Sequence, residues 1–171
     1  MRKMLFRTRL FDLERHTLRI KGKLATFYRI GSPNTSVIIP LLEDGRVILE
    51  RQYRPAIGRY LYELPAGHLN RKEKPASAAR RELEEETGYR AGSLRLLFEA
   101  YPSPGIKTEF SSFYLATNLT RTKTNLDTDE VITIKKIKLS RLVGMIRSNR
   151  IVDAKTIAAV LFYTAFSKPS R

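Results

Sequence analysis

The stretch "GHLNRKEKPASAARRELEEETGY", Gly67 to Tyr89, decides the fold of this chain. Pro75 suits the first turn of a helix and Gly88 suits the position just past its end, so a helix is predicted between them. Four glutamates fall within five residues of this helix, although the chain carries a formal net charge of +15. So basic a protein needs a reason to gather carboxylates in one place.

The glutamates are arranged on the predicted helix in a specific way. At 100° per residue, Glu82, Glu85 and Glu86 fall within an arc of about 100°, whereas Glu84 points the other way. Like charges three and four residues apart repel, and anions are disfavoured near the negative end of a helix. Arg81, four residues before Glu85, neutralises only part of this charge. A solvated acidic face is the simplest reading, but the spacing favours a site for a hard divalent cation.

The whole stretch resembles the Nudix box, G-x5-E-x7-R-E-U-x-E-E-x-G-U, in which U is a bulky apolar residue. Every fixed position matches, and Tyr89 is a slightly unusual final residue. The resemblance extends in a looser form over roughly residues 35 to 165. It implies a pyrophosphohydrolase that cleaves a nucleoside diphosphate linked to another group, with an α/β/α sandwich fold.

The resemblance also implies roles for individual residues. Two to three Mg²⁺ or Mn²⁺ ions would be held by Glu82, Glu85, Glu86 and the backbone carbonyl of Ala66. Arg81 would orient Glu85, and Glu73 would support the helix or the outer metal shell. Such ions would neutralise a diphosphate and activate a bound water.

The rest of the chain predicts one domain, residues 1–171, of α+β class. Apolar runs indicate strands on both sides of the box region, and a tight turn is predicted at Asp44-Gly45 between two of them. Ser140 and Asp153 are candidate caps for two C-terminal helices. Strands outnumber helices without regular alternation, which favours a mixed sheet flanked by helices. Residues 1–33 form an N-terminal unit of antiparallel strands, and the box covers residues 67–89.

The segment before the box, "RQYRPAIGRYLYELPAG", resembles the version found in ADP-ribose pyrophosphatases. The resemblance places Arg51 and Glu63 at substrate-contacting positions. Arg54 is a candidate as well, with a surface charge at a strand end as the alternative. Pro104 stands 15 positions past the box, as in that subfamily, although an ordinary turn proline remains open. The expected reaction converts ADP-ribose to AMP and ribose 5-phosphate.

The N-terminal strands have an expected role in assembly and in base binding. In the resembled subfamily, such a unit packs on or swaps with a second subunit, so a homodimer is expected. Phe27 and Tyr28 are candidates for stacking on adenine. The alternative, that they pack on their own sheet or in the dimer interface, stays open for each of them.

A separate general base is expected downstream of the box. The sequence "DTDEVITI" places Glu130 just before a strand, and "SPGIKTEF" places Glu109 before another. The pattern at Glu130 is the closer match to the subfamily, so Glu130 is preferred, and Asp127 and Asp129 are its possible substitutes. His68 is interpreted as a loop residue rather than a base.

Composition narrows the remaining possibilities. The chain has no cysteine, which excludes disulfides and thiolate metal sites and fits a reducing compartment. No apolar run approaches the length of a membrane span, and the start is a poor secretory signal, so a cytoplasmic location is expected. The basic excess suits a polyanionic substrate. Other Nudix substrates (a nucleoside triphosphate, a dinucleoside polyphosphate, an NDP-sugar or an RNA cap) and a nucleic-acid-binding module are the alternative functions.

Overall fold

The computed structural model describes residues 1–126 and 131–166, which form ten strands, three α-helices and one short 3-10 turn. The strands are β1 (Arg2–Arg7), β2 (Asp12–Ile20), β3 (Lys23–Gly31), β4 (Thr35–Pro40), β5 (Arg46–Arg54), β6 (Arg59–Glu63), β7 (Ala66–His68), β8 (Tyr89–Ala100), β9 (Ser111–Arg121) and β10 (Ile132–Lys138). The helices are α1 (Pro75–Thr87), α2 (Leu139–Arg147) and α3 (Ala154–Phe166).

A mixed sheet lies at the centre, with the strand order β7-β4-β9-β8. Its inner strands, β4 and β9, are parallel, and the outer pairs are antiparallel. Successive side chains of a strand point to opposite faces. Accordingly, Val37 and Ile39 pack with α2 and α3 on one face, while Ile38 packs with Ala79 and Leu83 of α1 on the other. The mixed sheet between helices confirms the predicted α+β architecture.

A second sheet, with the order β10-β5-β6, lies beside the first. The predicted Asp44-Gly45 turn is present, and Gly45 adopts a left-handed φ of 75° and donates its N–H to the Leu42 carbonyl at 3.0 Å. The strands that this turn connects, β4 and β5, nevertheless belong to different sheets. They share one isolated bridge, Leu41 to Val47, because the chain turns out of the first sheet immediately afterwards.

The N-terminal unit is a third, three-stranded antiparallel sheet, β1-β2-β3. Its β2–β3 hairpin turns at Lys21 and Gly22, which both have positive φ. Most of its side chains are exposed, including Phe6, Leu24 and Tyr28. This sheet is joined to the rest through β3, where Ile30 exchanges backbone hydrogen bonds with Ile106 and Thr108.

The ends of the helices test the predicted caps. α1 begins at Pro75 and ends at Gly88 with a φ of 69°, as predicted. Asp153 caps α3, because its Oδ2 accepts a hydrogen bond from the Thr156 N–H at 2.8 Å. The prediction for Ser140 was wrong: α2 already begins at Leu139, so Ser140 lies inside the helix. No helix in the described ranges is long and apolar enough to cross a membrane.

Candidate active site

Arg81 is the centre of the acidic helix face. Its Nε and Nη2 each donate to the Glu73 carboxylate at 3.0 Å. Its Nη1 lies 2.9 Å from Glu85 Oε2 and 2.7 Å from Glu82 Oε1. Nη2 also donates to the His68 carbonyl at 3.0 Å, which ties the helix to β7. Hydrogen bonding to Glu73 raises the pKa of Arg81 far above its usual range, so Arg81 stays charged among these carboxylates.

Two of the glutamates are buried against the start of the box. Glu82 is 9% exposed and Glu86 is 4% exposed. Glu86 Oε2 accepts the Ala66 N–H at 3.0 Å. Gly67 lies so close to Glu82 that a Cβ there would come within 2.0 Å of the carboxylate carbon. Only glycine leaves room for the Glu82 carboxylate beside this strand, because any side chain would displace it.

The donor set fits a hard divalent cation. Glu73, Glu82 and Glu85 share Arg81, and Glu86 lies on the same face of α1, so carboxylates outnumber guanidinium groups. Carboxylate oxygens are the ligands that Mg²⁺ prefers. Over residues 1–126 and 131–166, no three acidic or histidine side chains already converge on one point. Glu82 and Glu85 instead contact Arg81, and Glu86 accepts the Ala66 N–H.

The two arginines of "RQYR" lie on opposite faces of β5. They are three residues apart, and alternation along a strand separates such positions. Arg54 shares a face with Glu63, which is 2% exposed, and forms two hydrogen bonds with it at 2.8 and 2.6 Å. Hydrogen bonding to Glu63 raises the pKa of Arg54. Arg51 lies on the other face, with its guanidinium carbon 3.9 Å from the centre of the Tyr60 ring. Arg51 and Arg54 therefore do not form one binding surface.

Of the two candidate general bases, Glu109 lies within the described residues. Glu109 is 7% exposed, and its Oε1 accepts the Thr35 hydroxyl at 2.9 Å. Its other oxygen lies 3.4 Å from Lys107 Nζ. Glu130 lies outside the described residues, as do Asp127 and Asp129.

A cleft brings together three of the predicted substrate residues. Phe27, Tyr28 and Pro104 all line a space of about 480 Å³, but Phe27 and Tyr28 are consecutive residues of β3, so their side chains point to opposite faces of the sheet. Lys107 also lines this cleft and pairs with Glu109. Burial lowers the pKa of His68, the neighbour of Gly67, and the charge of Glu109 opposes this effect. None of the residues that line the cleft belongs to α1, so the cleft and the acidic helix face are separate features of the described structure.

Comparison with known proteins identifies the family. The family model described as NUDIX domain matches residues 32–160. The chain belongs to the Nudix family. The Nudix box is the segment formed by β7, α1 and the turn between them, and the matched region begins just after the N-terminal sheet, which ends at Gly31.

Several curated proteins are similar over most of their length. The ADP-ribose pyrophosphatase of Bacillus subtilis is 33% identical over 82% of this chain and 77% of its own. The GDP-mannose pyrophosphatase of Yersinia enterocolitica is 37% identical over 80% of this chain and 71% of its own. The methanol dehydrogenase activator of Bacillus methanolicus is 33% identical over 76% and 71%. This chain is a Nudix hydrolase.

A solved structure supports the Nudix fold independently. The crystal structure of an ADP compounds hydrolase superposes with a TM-score of 0.86 and covers 96% of this chain and 90% of its own. The two sequences are 23% identical, so this likeness shows the fold. It includes the N-terminal sheet, which the family model leaves out.

The segment that leads into the Nudix box is held by a contact that sequence reasoning missed. The Thr156 hydroxyl donates to Asp153 Oδ2 at 2.7 Å and accepts the Leu64 N–H at 2.9 Å. Thr156 is fully buried. The start of α3 thereby holds the segment between Glu63 and Ala66. The cap at Asp153 was visible in the sequence, but its long-range partner was not.

A second missed feature is the carboxylate of Glu14 in the N-terminal sheet. It is 1% exposed and contacts Arg2, His16 and Arg29. Residues 1–33 contain one other acidic residue, Asp12, among many basic ones. The scarcity of acidic residues in this segment could have predicted the cluster, because a carboxylate among many basic side chains attracts several of them.

Proposed function

We propose that this Nudix hydrolase is a Mg²⁺-dependent pyrophosphohydrolase of nucleoside diphosphate-linked compounds, with ADP-ribose as its first candidate substrate. Water would add to one phosphorus atom of the diphosphate, and the bridging P–O bond would break to give AMP and ribose 5-phosphate. The observation that carries this proposal is the set of carboxylates around α1, where Glu73, Glu82 and Glu85 meet at Arg81 and Glu86 lies on the same face of the helix. This set suits metal-bound phosphates, and the cleft lined by Phe27 and Pro104 would take a base.

In the proposed reaction, the residues of the box have separate tasks. Glu82, Glu85 and Glu86, with the carbonyl of Ala66, would hold two to three Mg²⁺ or Mn²⁺ ions. These ions would neutralise the diphosphate and lower the pKa of a bound water. Arg81 and Glu73 fix the direction of the helix carboxylates through the contacts described above. Glu130 would take the proton of the attacking water.

The residues outside the box would bind the two ends of the substrate. Phe27 is exposed on the cleft wall, as stacking on a base requires, whereas the exposed side chain of Tyr28 points to the other face of β3. Arg51 presents a cation held against Tyr60. The Arg54–Glu63 pair is largely satisfied internally, so its proposed part is to support the strand that leads into the box.

The substrate assignment draws on the relatives as well. The ADP-ribose and GDP-mannose pyrophosphatases named above share the core of the chain. GDP-mannose is therefore the second candidate. A homodimer in the cytoplasm is part of the proposal, and the exposed apolar side chains of the N-terminal sheet, such as Phe6 and Leu24, support a subunit contact there.

The test is a comparison of substrates with Mg²⁺ present. ADP-ribose, GDP-mannose, ATP, GTP and a dinucleoside polyphosphate are compared by kcat/KM, with the products separated by chromatography. We expect ADP-ribose to exceed both nucleoside triphosphates and to give AMP and ribose 5-phosphate. A tenfold advantage for a nucleoside triphosphate would show that the substrate assignment is wrong.

A further inference from the structure

The N-terminal sheet contains a fully ionised, buried carboxylate that the proposed reaction does not use. Glu14 Oε2 lies 2.9 Å from Arg29 Nε, 2.7 Å from Arg29 Nη2 and 2.9 Å from His16 Nε2. Its Oε1 accepts a hydrogen bond from Arg2. Hydrogen bonds from Arg2 and then His16 lower the pKa of Glu14 to about 2. Because most of this sheet is exposed, burying a charge in it adds little to its stability. The role of the Glu14 carboxylate is instead to orient the side chains that contact it.

Two of these partners, His16 and Arg29, line the same cleft as Phe27. Glu14 and Arg29 are directly opposite each other on β2 and β3, and His16 is opposite Phe27. Neighbours in the register share a face of the sheet. The carboxylate therefore anchors an arginine and a histidine next to the aromatic ring of Phe27.

The anchoring also fixes the direction in which Arg29 can bind anything else. A guanidinium group is planar, and its N–H donors have fixed positions. Arg29 uses its Nε and Nη2 on Glu14, so the donors of Nη1, together with the second N–H of Nη2, remain for another partner. Two parallel N–H groups on one edge match a pair of adjacent acceptors.

We propose that Arg29, held by Glu14, reads the edge of the nucleobase in this cleft and favours guanine over adenine. Guanine presents two adjacent acceptors, O6 and N7, whereas adenine places an amino donor beside its N7. Stacking on an aromatic ring accepts every base, so Phe27 would hold the base without selecting its identity. The inference rests on the proposed function but concerns the nucleoside half of the substrate, so GDP-linked sugars become substrates beside ADP-ribose.

The test keeps the sugar constant and changes only the base. The ratio of kcat/KM for GDP-mannose to that for ADP-mannose is measured in the wild type, Arg29→Lys and Glu14→Gln. A bidentate contact supports roughly a tenfold discrimination. We expect the ratio to fall by about this factor in both variants through KM for GDP-mannose, with kcat unchanged. Arg29→Lys keeps the charge, and the Arg29 side chain is partly exposed, so this variant should fold. It therefore tests the inference even if Glu14→Gln is unstable.

Asp12→Asn is the matched control. It removes another carboxylate of β2, that of Asp12, which pairs with Arg7. Neither Asp12 nor Arg7 lines this cleft. Its ratio should equal that of the wild type. An unchanged ratio in Arg29→Lys overturns the inference, because a merely structural arginine would lower both substrates equally.

Binding of GMP and AMP, measured by calorimetry without metal, separates this inference from the proposed hydrolysis. GMP should lose about tenfold more affinity than AMP in Arg29→Lys. If no nucleoside diphosphate sugar is hydrolysed but this difference appears, the proposed substrates are wrong, and the proposed selection of guanine by Arg29 is supported. Equal losses of GMP and AMP binding would refute the selection of guanine by Arg29, whatever the enzyme hydrolyses.

Discussion

The two clusters of charged side chains in this hydrolase are built in opposite ways. At α1, Glu82 and Glu85 of the helix and Glu73 just before it compete for one guanidinium, that of Arg81. In the N-terminal sheet, one carboxylate, Glu14, is shared by two arginines and a histidine. The first region has carboxylates in excess, and the second has cations in excess.

This difference would let so basic a chain bind both a metal and a nucleotide, as proposed above. An excess of carboxylates leaves negative charge that attracts a cation, and a hard oxygen donor set selects Mg²⁺. An excess of cations around one buried anion leaves N–H donors that are oriented but not fully used. The central charged group is the Arg81 guanidinium in the first region and the Glu14 carboxylate in the second. Each holds side chains of opposite charge in place before a ligand binds.

Removing one carboxylate from the first region should have the largest effect. Glu86→Gln keeps an oxygen for the Ala66 N–H but loses the charge, so the fold should persist while metal binding fails. Loss of even an outer metal partner costs about 10–100-fold, so we expect activity to fall by at least ~10²-fold. The measurement is turnover across a Mg²⁺ titration, with thermal unfolding followed with and without Mg²⁺.

Glu84→Gln provides the control on the same helix. Glu84 points away from the other three and pairs with Arg90 at 2.9 Å. Its loss should leave turnover and the Mg²⁺ dependence almost unchanged. Full wild-type turnover in excess EDTA would contradict the metal assignment as a whole.

The second prediction asks whether the acidic helix needs a base from elsewhere. Glu130→Gln should lower kcat by ~10²–10⁴, the usual contribution of a general base, with little change in KM. Mg²⁺ affinity should survive, unlike in Glu86→Gln. The comparison is made by steady-state kinetics and Mg²⁺ titration at a fixed pH.

Glu109→Gln is the matched variant for that experiment. Its smaller expected loss has a structural basis, because Glu109 is already hydrogen-bonded to Thr35 and lies near Lys107. The reverse order of losses would identify Glu109 as the base. Normal activity in both variants would mean that a box glutamate, or the metals alone, produces the hydroxide.

The acidic region could be predicted from the sequence, and the basic one could not. The glutamate arc, the helix ends at Pro75 and Gly88, and the strands that flank the box all follow from local spacing and turn chemistry. Such signals lie within a few residues of one another. They gave the family, the sandwich and the position of α1 correctly.

The missed features depend on contacts between distant segments. Glu14 meets Arg29 only because β2 and β3 pair in one register, and a shift by one residue would put them on opposite faces. Arg51 and Arg54 look equivalent in the sequence, yet alternation separates them and Glu63 takes only Arg54. Leu64 and Thr156 come together through the packing of α3, which no local pattern records.

The smallest expected effect concerns the acid stability of the N-terminal sheet. The pKa of Glu14 is about 2 in the folded protein against an ordinary value of 4.5. A carboxyl group whose pKa is lowered by folding contributes stability above its unfolded pKa and loses it as pH falls towards the folded value. The Glu14 contacts should therefore stabilise β2 and β3 fully above about pH 4.5 and progressively less between 4.5 and 2. Amide hydrogen exchange, corrected for its intrinsic pH dependence, should show β2 and β3 opening over this range before β8 and β9. In Glu14→Gln, which has no charge to lose, the same strands should already exchange faster at pH 6 and should change less with acid. If the wild type and this variant respond to acid alike, other carboxylates control the opening, and Glu14 would not be the anion that holds Arg29 in place.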